Sequence, residues 1–433
     1  MKDNQTTSSK SMGLWSATSI GVGAMIGAGL FALIGIAVDI AGQTAFLAFI
    51  VAGIVALLTS YSVSKLAVQF PSKGGPVEYL NKGYGKGVFA GGLNIIMWIG
   101  YIIVTSLYAR AFAEYSTALL GLGENSIWLY IFGSAIVIIF VIINFIGAAA
   151  VGASELLIVA IKVFVLILFG ILGLNAMNMQ EFAITSEFDL GDLVLASGVV
   201  FMSYEGFGLV ANTAEDIENP KKTLPMALFL SIIIVMIIYA MVSIAVIGNL
   251  SIQEILEAKE YALAEAAKPV MGSLGFTVMG VAALFSTASA INATIYGPVH
   301  MLQETAKAKQ IPPFFTRKLF DHESGYALLI TALIILAISN LLNLDAIAET
   351  GSLVFLIIYT AVNVANFRLR KQTSIKACVV WLGIVSTTFS FVALFYYQIL
   401  EAILSAYLFL TIVLAGFAYQ WFYQRYRKSP SRE

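Results

Sequence analysis

Two ionisable side chains stand inside long apolar stretches of this sequence. Lys162 lies in IVAIKVFVLI, and Glu205 lies in SYEGFG, directly before Gly206. A charged group at membrane depth is unfavourable by several kcal/mol unless it finds partners, so both residues are candidates for a functional site. Their chemistry allows proton exchange and the binding of a charged ligand.

Each of these two residues also has other interpretations. Lys162 could snorkel to the membrane surface, although it lies about eight residues, or roughly 12 Å of helix rise, inside its predicted span. Glu205 could hydrogen-bond to loose helix amides or pair with a neighbouring helix, contact an amine of a ligand, or relay protons.

Two glycine-rich segments, GVGAMIGAG at 21–29 and SYEGFG at 203–208, predict interruptions in two membrane helices. An interruption exposes backbone N–H and C=O groups that lipid cannot satisfy, so it is tolerated where it lines a protein cavity. Half-helix N-termini would receive a carboxylate there, and free carbonyls would receive an ammonium group. The pattern favours a zwitterionic ligand, although Gly23 and Gly27 also form a small-xxx-small pair that would simply allow close helix packing.

The composition requires a lipid environment for the elements that hold these residues. Of 433 residues, 59% are hydrophobic and 11% are charged, with a mean hydropathy of +0.89, which exceeds what a soluble core of this size can bury. Apolar runs of about 18 residues or more, enough to cross roughly 30 Å of hydrocarbon as a helix, recur along the chain. We predict an all-α membrane protein with twelve transmembrane helices, at 14–38, 44–70, 88–120, 128–146, 154–175, 190–214, 224–248, 271–304, 325–341, 346–367, 377–397 and 402–423.

The positive charges predict the orientation of these helices, because Lys and Arg accumulate in cytoplasmic loops. With the N-terminus inside, 20 of the 24 Lys and Arg residues fall on the inner side. Both termini are therefore expected to be cytoplasmic. The net charge of −1 gives no support to nucleic-acid binding.

The interrupted spans are the first and the sixth. They are five helices apart, which suggests two repeats of five helices each. Because five is an odd number, equivalent helices of the two repeats cross the membrane in opposite directions, which is the inverted-repeat plan of many secondary transporters. We predict a cytoplasmic tail at 1–11, a first repeat at 12–175, a second repeat at 190–370, two extra helices at 377–423 and a cytoplasmic tail at 424–433.

Three further polar segments have weaker signals. Residues 251–268 have helical propensity but are too polar to span, which predicts a lid over an outer vestibule. Arg110 and Glu114, four residues apart in the third span, predict an ion pair that faces the vestibule. The charged residues between 216 and 222 could close an inner path or lie in a solvated loop.

Enzymatic chemistry has no support in the sequence. It contains no paired intramembrane Asp, no zinc motif and no Ser/His arrangement. Cys378 is the only cysteine, and His300 and His322 are the only histidines, so no Cys/His metal cluster can be assembled. We predict neither enzyme activity nor a bound metal.

The sequence resembles the amino acid-polyamine-organocation superfamily of transporters. The resemblance rests on GAMIGAG at 23–29, SYEGFG at 203–208 and NTAEDIENPKK at 212–222, and it covers essentially the whole chain. It is strongest to proton-coupled prokaryotic amino acid permeases, including the archaeal broad-specificity type with a lysine in the fifth helix. The family fold is a five-plus-five inverted repeat with two additional helices.

The resemblance implies where the substrate binds. Ile26, Gly27 and Ala28 match the segment whose backbone amides hold the substrate carboxylate. Carbonyls from Phe201 to Tyr204 match those near the substrate amine, and Phe201 matches an aromatic gate. Glu205 is a variable position in the family, so its role is not carried over from the resemblance. The substrate-binding candidates are Met25, Ile26, Gly27, Ala28, Phe201, Met202, Ser203, Tyr204, Glu205 and Gly206.

The resemblance also implies a proton-coupling site. Lys162 matches a lysine that reaches backbone carbonyls of the first and eighth helices, where sodium-driven relatives bind sodium. Gly23 and Ser286 are the matching contacts. An ammonium among carbonyl dipoles mimics a bound cation, whereas a neutral amine loses that attraction and releases the first helix.

We therefore expect a proton-coupled symporter of L-amino acids that works by alternating access in the plasma membrane. The proton gradient would drive it without a cofactor. An amino acid/polyamine exchanger stays open because of Glu205, and an amino-acid-binding membrane sensor or channel would use the same cavity. The sequence indicates neither a particular amino acid nor an oligomeric state.

Overall fold

The computed structural model describes residues 12–72, 74–123, 127–146, 152–179, 189–319 and 324–427. This part of the chain is helical and holds no β-strand, apart from an isolated backbone bridge between Met12 and Ile217. The tail predicted at 1–11 lies outside the described residues, as does most of the tail predicted at 424–433.

The α-helices are numbered in chain order. They are α1 Leu14–Met25, α2 Gly29–Ala41, α3 Ala45–Gln69, α4 Pro76–Tyr84, α5 Val88–Leu120, α6 Ile127–Ile146, α7 Gly152–Ala176, α8 Leu190–Val200, α9 Phe207–Ala211, α10 Pro220–Ile247, α11 Ile252–Ala258, α12 Ala262–Lys307, α13 Gly325–Leu341, α14 Leu344–Arg368, α15 Arg370–Thr373, α16 Ala377–Glu401 and α17 Ile403–Arg427.

Ten helical stretches in the described ranges are long and apolar enough to cross a membrane, and α13, with 17 residues, is a shorter apolar helix. The protein is therefore a multi-pass membrane protein. Helices α5 and α13 coincide with the spans predicted at 88–120 and 325–341. The first predicted span, at 14–38, is divided between α1 and α2.

The first interruption separates α1 from α2. Helix α1 ends at Met25, and Ile26 has φ −78° and ψ 63°, outside the helical region. The Gly27 N–H donates to the Met25 carbonyl at 2.8 Å rather than to the carbonyl four residues back. Because α2 begins at Gly29, residues 26–28 form the break.

The second interruption separates α8 from α9. Residues Phe201–Tyr204 form a 3-10 turn, and α9 begins at Phe207. Phe201, Glu205 and Gly206 all keep right-handed helical dihedral angles. The chain therefore tightens here instead of unwinding, and such a stretch within a helix is typical of a hinge.

Glycines allow the two interruptions to lie directly against each other. A Cβ atom at Gly206 would overlap the backbone of Ala24 and Met25, and one at Gly29 would lie 2.6 Å from the Cβ of Ser203. A larger residue at either position would force the half-helices apart. The glycine clusters thus bring both breaks to one place.

Of the lid predicted at 251–268, the first part forms a short helix, α11, followed by a 3-10 turn at Lys259–Tyr261, and the residues from Ala262 onward belong to α12. We keep the name lid for 251–261. Helix α11 begins with a capping box in which Ser251 and Glu254 bond each other's backbone. The backbone carbonyl of Lys259 lies against α2 at Gly35, where any side chain would overlap it. The lid therefore covers the half-helix that follows the first interruption.

Two features of the fold differ from the spans predicted. Helix α4 is a nine-residue element that is too short to appear as a span. Helix α12 starts at Ala262 rather than near 271, and it contains a non-helical residue, Gly272, with φ 71° and ψ −168°. Pro269 and Gly272 weaken the helical pattern there, so the predicted start fell at the bend instead of at Ala262.

Candidate functional site

Lys162 lies on α7 with a side chain that is 0% exposed. Its ammonium group donates to the Gly23 carbonyl oxygen at 2.7 Å. In an uninterrupted helix that oxygen would accept from the Gly27 N–H, but Gly27 bonds to Met25 instead. A Cβ at Gly23 would lie 2.5 Å from Val159 Cγ2, so this glycine also lets α7 approach. The break frees the carbonyl that the lysine binds.

Ser286 on α12 binds the next carbonyls of the same break. Its hydroxyl oxygen lies 2.8 Å from the carbonyl oxygens of both Ile26 and Gly27, and the side chain is fully buried. Both carbonyls belong to residues 26–28, which form the break. Lys162 and Ser286 therefore hold the first interruption from two different helices.

Tyr239 on α10 joins the two interruptions. Its hydroxyl group donates to the Met25 carbonyl at 2.6 Å and lies 3.3 Å from the Ser203 carbonyl oxygen. Sequence reasoning missed this residue. The available signal was a single tyrosine in the otherwise apolar run SIIIVMIIYAMV.

The N-terminus of α2 supplies unpaired backbone donors. Helix α2 has no side-chain cap, and the Ala32 N–H is the donor that bonds to the Ala28 carbonyl, at 2.7 Å. The N–H groups of Gly29, Leu30 and Phe31 have no acceptor within the helix. Together with the positive end of the helix dipole, they form a site that suits a carboxylate.

Helix α9 is less suited to this role. The Gly208 N–H bonds to Glu205 at 3.0 Å, and the Leu209 N–H bonds to Gly206 at 3.1 Å. Because these amides are already paired, α2 is the half-helix whose N-terminus can receive an anion.

Glu205 is buried beside the interruption it precedes, with 0% exposure. Its Oε1 atom accepts from the Tyr359 hydroxyl at 3.3 Å, and the Tyr101 side chain interacts with the same carboxyl group. Its Oε2 atom has no hydrogen-bond partner among the described residues. A buried carboxyl group in this state requires either a proton or a cation beside it.

The other predicted residues of the second interruption point in different directions. The Tyr204 hydroxyl donates to the Phe49 carbonyl of α3 at 2.8 Å. Met202 faces α14, where a Cβ at Gly351 would lie 2.7 Å from its sulfur. The Phe201 ring lies edge-on to Tyr359, with centroids 6.1 Å apart.

The site is closed to solvent in this conformation. Gly27 and Gly206 are buried, and the remaining predicted substrate-binding residues are each at most 3% exposed: Met25, Ile26, Ala28, Phe201, Met202, Ser203, Tyr204 and Glu205. A ligand can therefore reach the site only after the surrounding helices move.

Ion pairs tie the lid to two membrane helices on one side of the site. The Lys259 ammonium lies 3.4 Å from an Asp39 carboxylate oxygen at the end of α2 and 2.9 Å from one of Asp345 at the start of α14. All three side chains are partly exposed. A single lysine thus holds the lid and both helix ends together.

Backbone contacts close the opposite end. The Met12 N–H donates to the Asp216 carbonyl at 3.3 Å, and the Glu218 N–H donates to the Met12 carbonyl at 3.0 Å. The residue before α1 is thereby joined to the segment that follows α9. These backbone hydrogen bonds close this end. The charged residues between 216 and 222 take part in none of the ion pairs found in the described ranges.

Arg110 and Glu114 form the ion pair that their spacing predicts. The Arg110 Nε atom lies 2.7 Å from Glu114 Oε1 on α5, and both side chains are largely buried. The two residues lie two and six positions beyond Tyr108, whose ring borders Gly27.

Comparison with known proteins shows which family this chain belongs to. A family model described as "Amino acid permease" matches residues 12–418. An uncharacterised protein of Methanocaldococcus jannaschii is 39% identical over 90% of this chain and 89% of its own length. The inner membrane transport protein YbaT of Escherichia coli is 31% identical over 86% of each chain. The serine/threonine exchanger SteT of Bacillus subtilis is 27% identical over 84% of each.

The family model covers nearly all of the helices described above, including both interruptions, Lys162 and Ser286. Its members are membrane transporters rather than enzymes. The chain belongs to the amino acid permease family.

Proposed function

We propose that this permease is a proton-coupled symporter of L-amino acids that works by alternating access. The substrate carboxylate would bind the free N–H groups at the start of α2, and its ammonium group would lie among the carbonyls of the two interruptions. The contact that carries the proposal is the 2.7 Å hydrogen bond from Lys162 to Gly23. It links a titratable group directly to the carbonyl that the break sets free.

Protonation of Lys162 would control the position of α1. A charged ammonium attracts the Gly23 carbonyl dipole and holds the break against α7. A neutral amine loses most of that attraction, so the half-helix is released. In each cycle Lys162 would take a proton from one side of the membrane and give it up on the other, without a cofactor.

The finer architecture follows the same proposal. We take α1 and α2 as one interrupted helix, which makes twelve membrane helices in two inverted repeats, 12–175 and 190–370, with two extra helices at 377–423. The interruptions then occupy equivalent places in the two repeats, which agrees with their contact across Gly206. The Lys and Arg distribution supports cytoplasmic termini, and we place the protein in the plasma membrane as part of the same proposal.

Uptake into proteoliposomes tests the function. Radiolabelled L-amino acids would be offered under an imposed inward proton gradient or sodium gradient, without internal amino acid. We expect the proton gradient to drive accumulation, and Lys162→Ala to reduce it at least about tenfold because the buried carbonyl loses its charged donor. The matched control is Lys82→Ala, which removes an exposed lysine.

Other outcomes would overturn parts of the proposal. Accumulation driven by sodium, or full proton-driven accumulation by Lys162→Ala, would exclude Lys162 as the coupling site. Flux that requires internal amino acid would identify an exchanger. Ligand binding without flux would identify a sensor, and flux that does not saturate would identify a channel.

Glu205 supports a second candidate, an exchanger of cationic amino acids or polyamines. The unpaired Oε2 atom of its buried carboxyl group would suit a cationic group of such a substrate. We expect Glu205→Gln to lower uptake of arginine or putrescine at least about tenfold relative to alanine if this candidate is correct. An equal change for all substrates would favour a structural role, and loss of proton dependence would favour a proton relay.

A further inference from the structure

A basic pocket opens at the end of α14, away from the site described above. It has a volume of about 380 Å³ and is lined by residues 367–372, which include Arg368, Arg370 and Lys371. None of the ion pairs found in the described part of the chain includes these three residues. Among the described residues, the pocket therefore presents positive charge that is not paired with an acidic side chain.

Aromatic rings hold both arginines in place. The Arg368 guanidinium lies 4.5 Å from the centre of the Tyr84 ring, and one of its nitrogens lies 3.5 Å from the Gly83 carbonyl. The Arg370 guanidinium lies 4.8 Å from the centre of the Phe367 ring. Stacked guanidinium groups keep their N–H donors available in a fixed plane, which suits a phosphate group.

An apolar surface continues from this pocket. The Phe367 ring, which lines the pocket, lies 5.3 Å from the ring of Trp381 on α16. Trp381 begins a stripe of side chains that share one face of α16 and are 51 to 65% exposed: Trp381, Val385, Phe389, Val392 and Tyr396. The part from Trp381 to Phe389 rises about 12 Å, which is close to the hydrocarbon depth of one leaflet.

We propose that this pocket and stripe bind an anionic phospholipid. The negatively charged phosphate of the headgroup lies against Arg370 and Lys371, and an acyl chain lies along α16 from Trp381 towards Phe389. Basic pockets between membrane helices bind acidic headgroups, and tryptophan favours the headgroup level, where Trp381 would lie. The Phe367–Trp381 contact joins the charged and apolar parts, which a soluble anion would not require.

Native mass spectrometry of the full chain tests this site. The delipidated protein would be titrated with phosphatidylglycerol and with phosphatidylcholine of the same acyl chains. We expect phosphatidylglycerol to bind at least about tenfold more tightly than phosphatidylcholine. The double substitution Arg370→Gln/Lys371→Gln should remove most of this preference, because each basic residue contributes about fivefold in affinity. The control, Arg425→Gln/Arg427→Gln, removes the same charge from the end of α17 and should retain the preference.

A second measurement locates the acyl chain. Brominated phosphatidylglycerol should quench the tryptophan fluorescence of the wild type more than that of Trp381→Phe. With brominated phosphatidylcholine, the difference in quenching between the two proteins should be smaller. If Arg425→Gln/Arg427→Gln loses the preference for phosphatidylglycerol to the same extent, the binding reflects general charge attraction and the proposed site is wrong. Binding of glycerol 3-phosphate as tight as that of the lipid would overturn it in favour of a soluble anion. Neither result depends on the transport function.

Discussion

The Gly23 carbonyl accepts a hydrogen bond from Lys162 because the Gly27 N–H turns back to Met25. Without the ammonium group, this carbonyl would be buried without a donor, which costs about 1–3 kcal/mol. Without the break, the lysine would find the same carbonyl already paired and would itself be a buried charge without this acceptor. Each feature therefore stabilises the other.

We expect Gly27→Ala to impair both stability and uptake. A Cβ at this position would lie 2.8 Å from the Ala290 Cβ and 3.2 Å from the Tyr108 ring, so the break would have to shift. Overpacking of this kind costs about 1–3 kcal/mol, and we expect uptake to fall at least about tenfold. Thermal unfolding in detergent and proteoliposome uptake measure the two effects.

Gly13→Ala is the matched control, because a Cβ at Gly13 meets no atom within 4 Å. It should leave unfolding and uptake close to those of the wild type. Equal behaviour of the two variants would contradict the close contact proposed at the break.

Lys162 could be singled out from the sequence because a charged residue is costly in an apolar span, and the glycines because they cluster within two membrane spans. Tyr239 could not, since a tyrosine in a membrane helix is compatible with ordinary packing. Its importance depends on the meeting of α1, α8 and α10, which periodicity along a single helix does not reveal.

At the scale of elements, the two interruptions differ in kind. The break between α1 and α2 leaves amide donors free, whereas the turn between α8 and α9 satisfies its own amides with bonds that span three residues. The sequence predicted both interruptions from their glycines. It could not predict this difference, because glycine permits either an opened or a tightened backbone.

The spans were easier to predict than the elements between them. Helix α5 has the predicted bounds, because a long apolar run ends in Gly121, which adopts a left-handed conformation at φ 64°. Helix α4 was missed, since a short amphipathic helix has no distinct signal beside runs three times as long. The lid was predicted from its charges, but its contact with Gly35 requires the tertiary structure.

The lid is expected to open more readily in Lys259→Met, which removes both ion pairs of this residue with Asp39 and Asp345. Partly exposed pairs contribute about 0.2–1 kcal/mol each, so the loss of both pairs should raise the open population about two- to thirtyfold. The readout is the rate at which an impermeant thiol reagent labels Ser203→Cys in a Cys378→Ser background.

Lys268→Met provides the comparison, because the Lys268–Glu265 pair lies within α12 and joins no other helix. It should leave the labelling rate unchanged. If both lysine variants label at the wild-type rate, the ion pairs do not hold the lid closed.

At the scale of the whole molecule, the two ends of the site are closed by different means. Side-chain charges join the lid to α2 and α14, and backbone hydrogen bonds join Met12 to the segment after α9. The predicted substrate-binding residues are therefore closed off at both ends, and the alternating access proposed above would require each closure to open separately.

Cross-linking tests whether the backbone closure separates during transport. Residues Met12 and Ile217 form a bridge pair, so Met12→Cys/Ile217→Cys in a Cys378→Ser background should form a disulfide on oxidation. We expect oxidation to reduce uptake at least about tenfold and a reductant to restore it, since the cross-link prevents α1 from leaving α9. Undiminished uptake by the cross-linked protein would show that this contact persists through the cycle.

The proton coupling proposed for the fully buried Lys162 would have an electrical consequence as well. A lysine that takes a proton from one side and releases it on the other carries a charge through the low-dielectric part of the membrane. Symport of a neutral zwitterion with one proton would then move one positive charge per cycle. A potential of 100 mV adds about 2.3 kcal/mol to such a step, equivalent to roughly fiftyfold accumulation, so voltage alone would drive uptake when the pH is equal on both sides.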